Sequence, residues 1–244
     1  MIKKILILFL LFSNISYAND SKNLTIFAES NLSVPLVKII RKYSKEKNTI
    51  ISINFKSSFD LIEKIDEGEP ADIFISSHQD WVNVLKQKGL IDIYSISNIS
   101  EDKLVLIASN KNKKFFTDSF DKKDLAVIFK RMSDMGYSLI TDSNYNSLGK
   151  YSSKIIKKYK IKPNRVFIKL NEDRKSIIDF VSDNKNLFAL VLESSILPQD
   201  NVRVIYRIPD IEINYQASAI AGNNMESARD FITYLENINF KEYF

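Results

Sequence analysis

Short β-branched or apolar runs alternate with helix-length segments along most of the chain. The runs Asn23 to Ala28, Ile50 to Phe55, Asp72 to Ser76, Lys103 to Ser109, Tyr137 to Thr141, Arg165 to Leu170, Leu187 to Leu192, Val202 to Ile208 and Tyr215 to Ala221 read as strands, because each is short, rich in strand formers and bounded by polar or turn-forming residues. Between them, Leu36, Ile39, Ile40 and Tyr43 recur at helical spacing. So do Leu61, Ile62 and Ile65, Val82 and Leu85, Tyr151, Ile155 and Tyr159, Ile177, Phe180 and Val181, and Phe231, Tyr234 and Leu235. This βαβα order predicts an α/β protein with mostly parallel sheets flanked by helices, and no internal repeat suggests otherwise. The polar, lysine-rich stretch from Ser109 to Asp124 reads as a loop with a short amphipathic piece.

The beginning of the chain breaks the alternation. Met1-Ile2-Lys3-Lys4 precedes an unbroken apolar run from Ile5 to Phe12, and Ser16-Tyr17-Ala18 precedes Asn19. That is the pattern of a secretory signal peptide, expected to be cleaved after Ala18 and to send the chain to the periplasm. The apolar run is too short to cross a hydrocarbon layer that needs about 20 helical residues. With no cysteine in 244 residues the exported protein is not stapled by disulfides, so packing and hydrogen bonding must hold it together. The net charge of +5 includes Lys3 and Lys4. The remaining lysines are scattered, densest at Lys111, Lys113, Lys114, Lys122 and Lys123, and read as a solvated loop rather than a nucleic-acid face.

Open α/β sheets bind ligands beyond the carboxyl ends of their strands, where turns into helices present unpaired backbone N–H groups. Three such turns are legible: Glu29-Ser30-Asn31, Lys56-Ser57-Ser58, and Asp142 to Ser147. Each offers Ser or Asn where a helix begins, and each taken alone reads as an ordinary helix cap. Converging on one cleft, they would supply what an oxyanion needs: many donors, few acceptors and the positive ends of helix dipoles. Enzymatic chemistry has little support. The single histidine, His78, stands at a predicted helix start and reads as a cap or an exposed residue rather than a metal ligand. Gly149-Lys150 lacks the rest of a phosphate loop, and Glu63, Asp66, Glu67 and Glu69 read as a solvated helix face.

The stretch Pro70-Ala71-Asp72-Ile73-Phe74-Ile75-Ser76, followed by Ser77-His78-Gln79-Asp80-Trp81 and preceded by Ser57-Ser58, resembles the periplasmic molybdate-binding proteins, as does Phe27-Ala28-Glu29-Ser30-Asn31-Leu32. The resemblance covers most of the mature chain, most strongly up to about Asn110. It implies a two-lobe type II periplasmic binding protein fold with a ligand cleft between the lobes. Lobe I would be residues 19–104 and 206–244, lobe II residues 105–205, with crossings near Glu101 to Ser109 and Val202 to Tyr215. By the same resemblance, the family's first-turn serine falls on Asn31, beside Ser30, and its second-turn serine on Ser58, beside Ser57. Its backbone donors fall on Leu148 and Arg174.

The chain departs from the family where a tyrosine hydroxyl is replaced by Leu192. Arg174 or Lys56 would then have to reach the anion, and Glu29 would either point away or reject a bare dianion. The resemblance implies the binding subunit of an ABC importer, a monomer that captures molybdate, tungstate or a similar oxyanion without a cofactor and then docks to a membrane permease. It does not imply an enzyme or a nucleic-acid partner. A different oxyanion, a small organic anion, or an exported module with a degenerate cleft remain open at this point.

Overall fold

The computed structural model describes residues 23–116, 124–162, 166–169, 174–222 and 224–243. The proposed signal peptide therefore lies outside the described residues, as do Lys122 and Lys123. Among the described residues, eight strands form one sheet in the order β2-β1-β3-β8-β4-β7-β5-β6. The strands are β1 (Asn23–Glu29), β2 (Ile50–Lys56), β3 (Ile73–Ser76), β4 (Ser97–Ser109), β5 (Ser138–Asp142), β6 (Val166–Lys169), β7 (Leu187–Leu192) and β8 (Val202–Ala219). At each end the pairs are parallel: β1 with β2 and β3, and β5 with β6 and β7. The long strands β4 and β8 join the two ends and pair antiparallel with each other, with β7 and with β3.

Helices α1 (Ser33–Lys47), α2 (Ser58–Asp66), α3 (Gln79–Gln87), α4 (Leu125–Asp134), α5 (Ser147–Lys158), α6 (Arg174–Asp183) and α7 (Met225–Glu236) flank the sheet. The alternation along β1 and β3 explains why both faces are covered. Leu24, Ile26, Ala28, Ile73 and Ile75 point into a core shared with Leu36, Ile39 and Tyr43 of α1 and Phe231 of α7. Phe27 and Phe74 point the other way, into a second cluster with Leu61, Ile62 and Ile65 of α2 and Trp81, Val82 and Leu85 of α3. Strands buried on both faces read as continuous apolar runs, which is why these were easy to find in the sequence.

The structure corrects the sequence reading at four places. Val202–Ala219 is one strand rather than two, although Pro209 falls in its middle. Val105 pairs with Arg207 and Lys103 with Glu212, so β8 carries Ile208 to Ile211 where β4 carries Leu104 alone. The proline sits in this irregularity, where the ladder demands no N–H from it. Second, β4 begins at Ser97, because its half-exposed first residues find partners along the far end of β8. Third, α4 was not expected: Leu125, Ile128, Phe129 and Met132 are buried at helical spacing behind an Asp124 cap that accepts from the Ala126 N–H at 3.1 Å. Last, Phe180 is 53 % exposed, and Ile178 takes the buried place beside Ile177 and Val181.

Candidate functional site

Three helices start at the carboxyl ends of strands and aim at one cleft between the β1–β3 end and the β5–β7 end of the sheet. α2 and α5 are built alike. Ser57 caps α2 by accepting from the Asp60 N–H at 3.1 Å, which leaves Ser58 as its first helical residue. Asn146 caps α5 by accepting from the Gly149 N–H at 3.0 Å, which leaves Ser147 as its first. The third helix, α3, is capped by His78, whose Nδ1 accepts from the Asp80 N–H at 3.2 Å. With the capping done by the preceding residue, the N1 hydroxyls and N–H groups are free to face the cleft.

There the Ser58 hydroxyl meets Ser76, and the Ser147 N–H and hydroxyl reach Glu29. This residue ends β1, is 4 % exposed, and places its carboxylate between the two ends of the sheet. Its Oε2 accepts from the Ser77 N–H at 3.0 Å, the Ser77 hydroxyl at 2.7 Å and the Ser147 hydroxyl at 2.6 Å, with the Ser76 hydroxyl at 3.5 Å. Oε1 accepts from the Ser147 N–H at 2.8 Å. A second layer orients these donors. Asn31 Nδ2 donates to Ser77 Oγ at 3.1 Å, and the hydroxyls of Ser58 and Ser76 are 2.9 Å apart. The His78 N–H donates to Ser76 Oγ at 3.2 Å, and the Tyr151 hydroxyl to the Ser77 carbonyl at 2.8 Å. A buried carboxylate is tolerable only when hydrogen-bonded this fully.

Other contacts bridge the same gap. The Phe59 N–H donates to the Tyr145 carbonyl at 3.3 Å, Lys150 Nζ lies 3.8 Å from the centre of the Trp81 ring and 3.5 Å from Asp80, and the His78 and Tyr151 rings are 4.5 Å apart. Beside Glu29 lies a small cavity of ≈ 20 Å³, room for about one water. It is lined by Ser30, Asn31, Lys56, Ser57, Leu148 and Leu192, with Asp142, Asn146 and Ser195 completing the wall. Among the described residues, two of the larger hollows lie elsewhere. One of ≈ 230 Å³ sits at the carboxyl ends of α4 and α5, and one of ≈ 420 Å³ runs along the β4–β8 crossing; neither gathers helix N-termini.

Most residues singled out from sequence meet here, in altered roles. Ser30, Asn31, Ser57 and Leu148 line the cavity. Ser58 is fully buried with its hydroxyl on Ser76. At the α5 turn, the Ser147 N–H and hydroxyl reach Glu29, one residue before the Leu148 backbone donor expected from the sequence. Arg174 opens α6, but its side chain lies outside the described residues. Leu192 presents a buried apolar wall in place of a hydroxyl. Glu29, Ser76, Ser77, Ser147 and Ser195 were not chosen as binding residues in advance. The turn after β3 gave the same signal as the others, a strand end followed by hydroxyls and a helix, and would have pointed to Ser76 and Ser77.

His78 is a cap, as one sequence reading had it, but it is buried rather than exposed, and Nε2 has no hydrogen-bond partner among the described residues. Burial pushes its pKa down to about 4, opposed by Asp80 and Glu29 and assisted by Lys154 and Lys150. Burial likewise pushes the Tyr151 phenol well above its usual range, so it stays a neutral donor. The unfolded imidazole, near 6.5, takes up its proton before the folded one does, so stability should be complete above about pH 6.5 and fall as pH drops toward 4. His78 is the only histidine. Denaturant melts between pH 7 and 5 should therefore show this loss in the parent protein and much less of it in His78→Asn, which keeps a capping acceptor. Equal slopes for the two proteins would mean that His78 is accessible to protons in the folded state.

Residues 24–239 match the family model described as bacterial extracellular solute-binding protein. The chain is 24% identical over 238 residues, covering 92% of itself and 88% of the relative, to the molybdate-binding protein ModA of Escherichia coli (strain K12). Its fold is similar to the substrate-binding domain of a putative molybdenum ABC transporter from Clostridium difficile, with a TM-score of 0.69, 21% identity and coverage of 91% of this chain and 96% of that one. It is also similar to the sulfate-binding protein SubI from Mycobacterium tuberculosis H37Rv, with a TM-score of 0.70, 14% identity and coverage of 90% and 83%.

Proposed function

The chain belongs to the bacterial extracellular solute-binding proteins, and we propose that it is the oxyanion-capturing subunit of an ABC importer. One observation carries this reading: the cleft holds a carboxylate with hydroxyls and backbone N–H groups drawn from both ends of the sheet. Such a seat recognises an oxyanion by its acceptor oxygens, and two helix N-termini add favourable dipoles at Ser58 and Ser147. The molybdate-binding relative and the molybdenum- and sulfate-related neighbours support the same class of ligand. Molybdate, tungstate and sulfate are accordingly the first ligands to test.

In this reading residues 19–104 with 206–244 form one lobe and residues 105–205 the other, hinged on β4 and β8. Ser30, Asn31, Ser57 and Ser58, joined by Ser76 and Ser77, form the first lobe's half of the seat. Ser147, the Leu148 backbone and Arg174 form the second's. The ligand favours closure because only the closed form offers it donors from both lobes. The protein works as an exported monomer, released into the periplasm after Ala18, and hands its ligand to a membrane permease. It performs no covalent chemistry and needs no cofactor.

A thermal-shift screen of the exported protein against molybdate, tungstate, sulfate, phosphate and small carboxylates tests the reading. An anion at 100 times its dissociation constant should add about 2.7 kcal/mol to stability. In a chain of this size that is a rise in melting temperature of roughly 5 to 10 °C. No rise with any of these anions would remove the oxyanion assignment.

A further inference from the structure

Glu29 is in the seat, not beside it. Its two oxygens take the hydroxyl and N–H donors of Ser77 and Ser147 that an incoming oxyanion would need, and the space left beside it is only ≈ 20 Å³. An anion and this carboxylate cannot share those donors. Both would accept and neither would donate, and two negative groups at hydrogen-bonding distance repel strongly where water is scarce. We propose that Glu29 is an intramolecular competitor for the anion seat: a specificity-determining residue that latches the cleft shut by itself and that any ligand must displace. The inference rests on the oxyanion reading of the same site.

The geometry supplies each part of this device. Glu29 belongs to β1, yet its strongest contacts include Ser147 on α5, 118 residues away, so the carboxylate ties one end of the sheet to the other. When displaced, it has somewhere to go. Lys56 is its register partner on β2 and lines the same cavity, so a rotated Glu29 meets a cation rather than bare protein. Occupancy of the seat by Glu29 lowers the apparent affinity for any anion by the fraction of molecules in which the seat is free. It also sets a filter. A ligand that offers several acceptor oxygens to the whole donor ring can replace a carboxylate, whereas one that engages only Ser77 or only Ser147 cannot.

The test compares the parent protein with Glu29→Ala and Glu29→Gln by calorimetric titration with molybdate, tungstate and sulfate, and by small-angle X-ray scattering without added anion. Removing the competitor should tighten binding of the recognised oxyanion at least about tenfold, if the seat is free in a tenth of the molecules or fewer. Glu29→Gln should also bind more tightly than the parent, because the amide offers one acceptor where the seat expects two, and its NH₂ opposes the donors. In scattering, the parent should be compact without anion, and Glu29→Ala should be expanded and contract on adding the anion. Equal affinity and equal dimensions in parent and variants would overturn the latch while leaving oxyanion binding intact. Expansion of Glu29→Ala with no response to any oxyanion would leave the latch standing and remove the ligand class instead.

Discussion

Replacing Gly149 with alanine is expected to destabilise the protein by about 3 kcal/mol or more, at a position where helix propensity alone favours alanine by roughly 1 kcal/mol. The difference lies in what the glycine touches. A Cβ built there would stand 1.8 Å from the Ser143 carbonyl oxygen, 2.3 Å from its carbon and 2.8 Å from the Asp142 carbonyl oxygen. All three are backbone atoms, so no side-chain rotation relieves the overlap, and α5 must lift off the turn that precedes it. That lift breaks the cap between the Gly149 N–H and Asn146 and carries Ser147 away from Glu29. Denaturant melts of Gly149→Ala should show the loss of stability, and calorimetry should show weakened anion binding by whatever protein remains folded. A variant as stable as the parent would mean that the first turn of α5 is not held against residues 142 and 143.

The same glycine marks the limit of what the sequence could reveal. Strand and helix positions came through wherever one-dimensional periodicity reports burial, as in β1 and β3, whose apolar residues are sorted between two cores, and in α1, whose apolar face packs into the first of them. The junction at Pro209 misled because a proline ordinarily ends a strand, and only the pairing with β4 shows the irregularity that accommodates it. At the site, the hydroxyl-bearing turns were legible because ligands of open sheets gather at strand ends. The partner of those hydroxyls was not. That Glu29 points inward rather than away depends on Ser147 arriving from far along the chain, and that arrival depends on Gly149 allowing close approach. A side chain whose partners are set by tertiary contacts leaves no periodic trace. Ser57 and Asn146 were ambiguous for a related reason: a cap and a binding residue use the same short polar side chains, and only the register of the helix start tells the cap from the residue that faces the cleft.

Phe231→Ala should cost about 3 to 5 kcal/mol, the other large effect expected, and it should do so without touching the anion seat. Phe231 is fully buried on α7, meeting Tyr43 of α1 edge-on with ring centres 4.8 Å apart at 85° and lying 6.4 Å from Tyr234 at 21°. Truncating it opens a cavity between the first long helix and the last one and forfeits an aromatic pair worth about 0.5 to 1.5 kcal/mol beyond its buried area. Since α1 follows β1 and α7 follows β8, this contact fastens the end of the chain to its beginning, and the residue bears on how the molecule unfolds. If residues 19–104 and 206–244 fold as one unit, Phe231→Ala should lower the denaturant midpoint of the transition that also reports Trp81 fluorescence, because Trp81 packs on β3 in that unit. An unchanged Trp81 transition would separate the final helix from that unit. Anion affinity measured below the onset of unfolding should match the parent's, so that loss of stability and loss of binding, which Gly149→Ala combines, are here pulled apart.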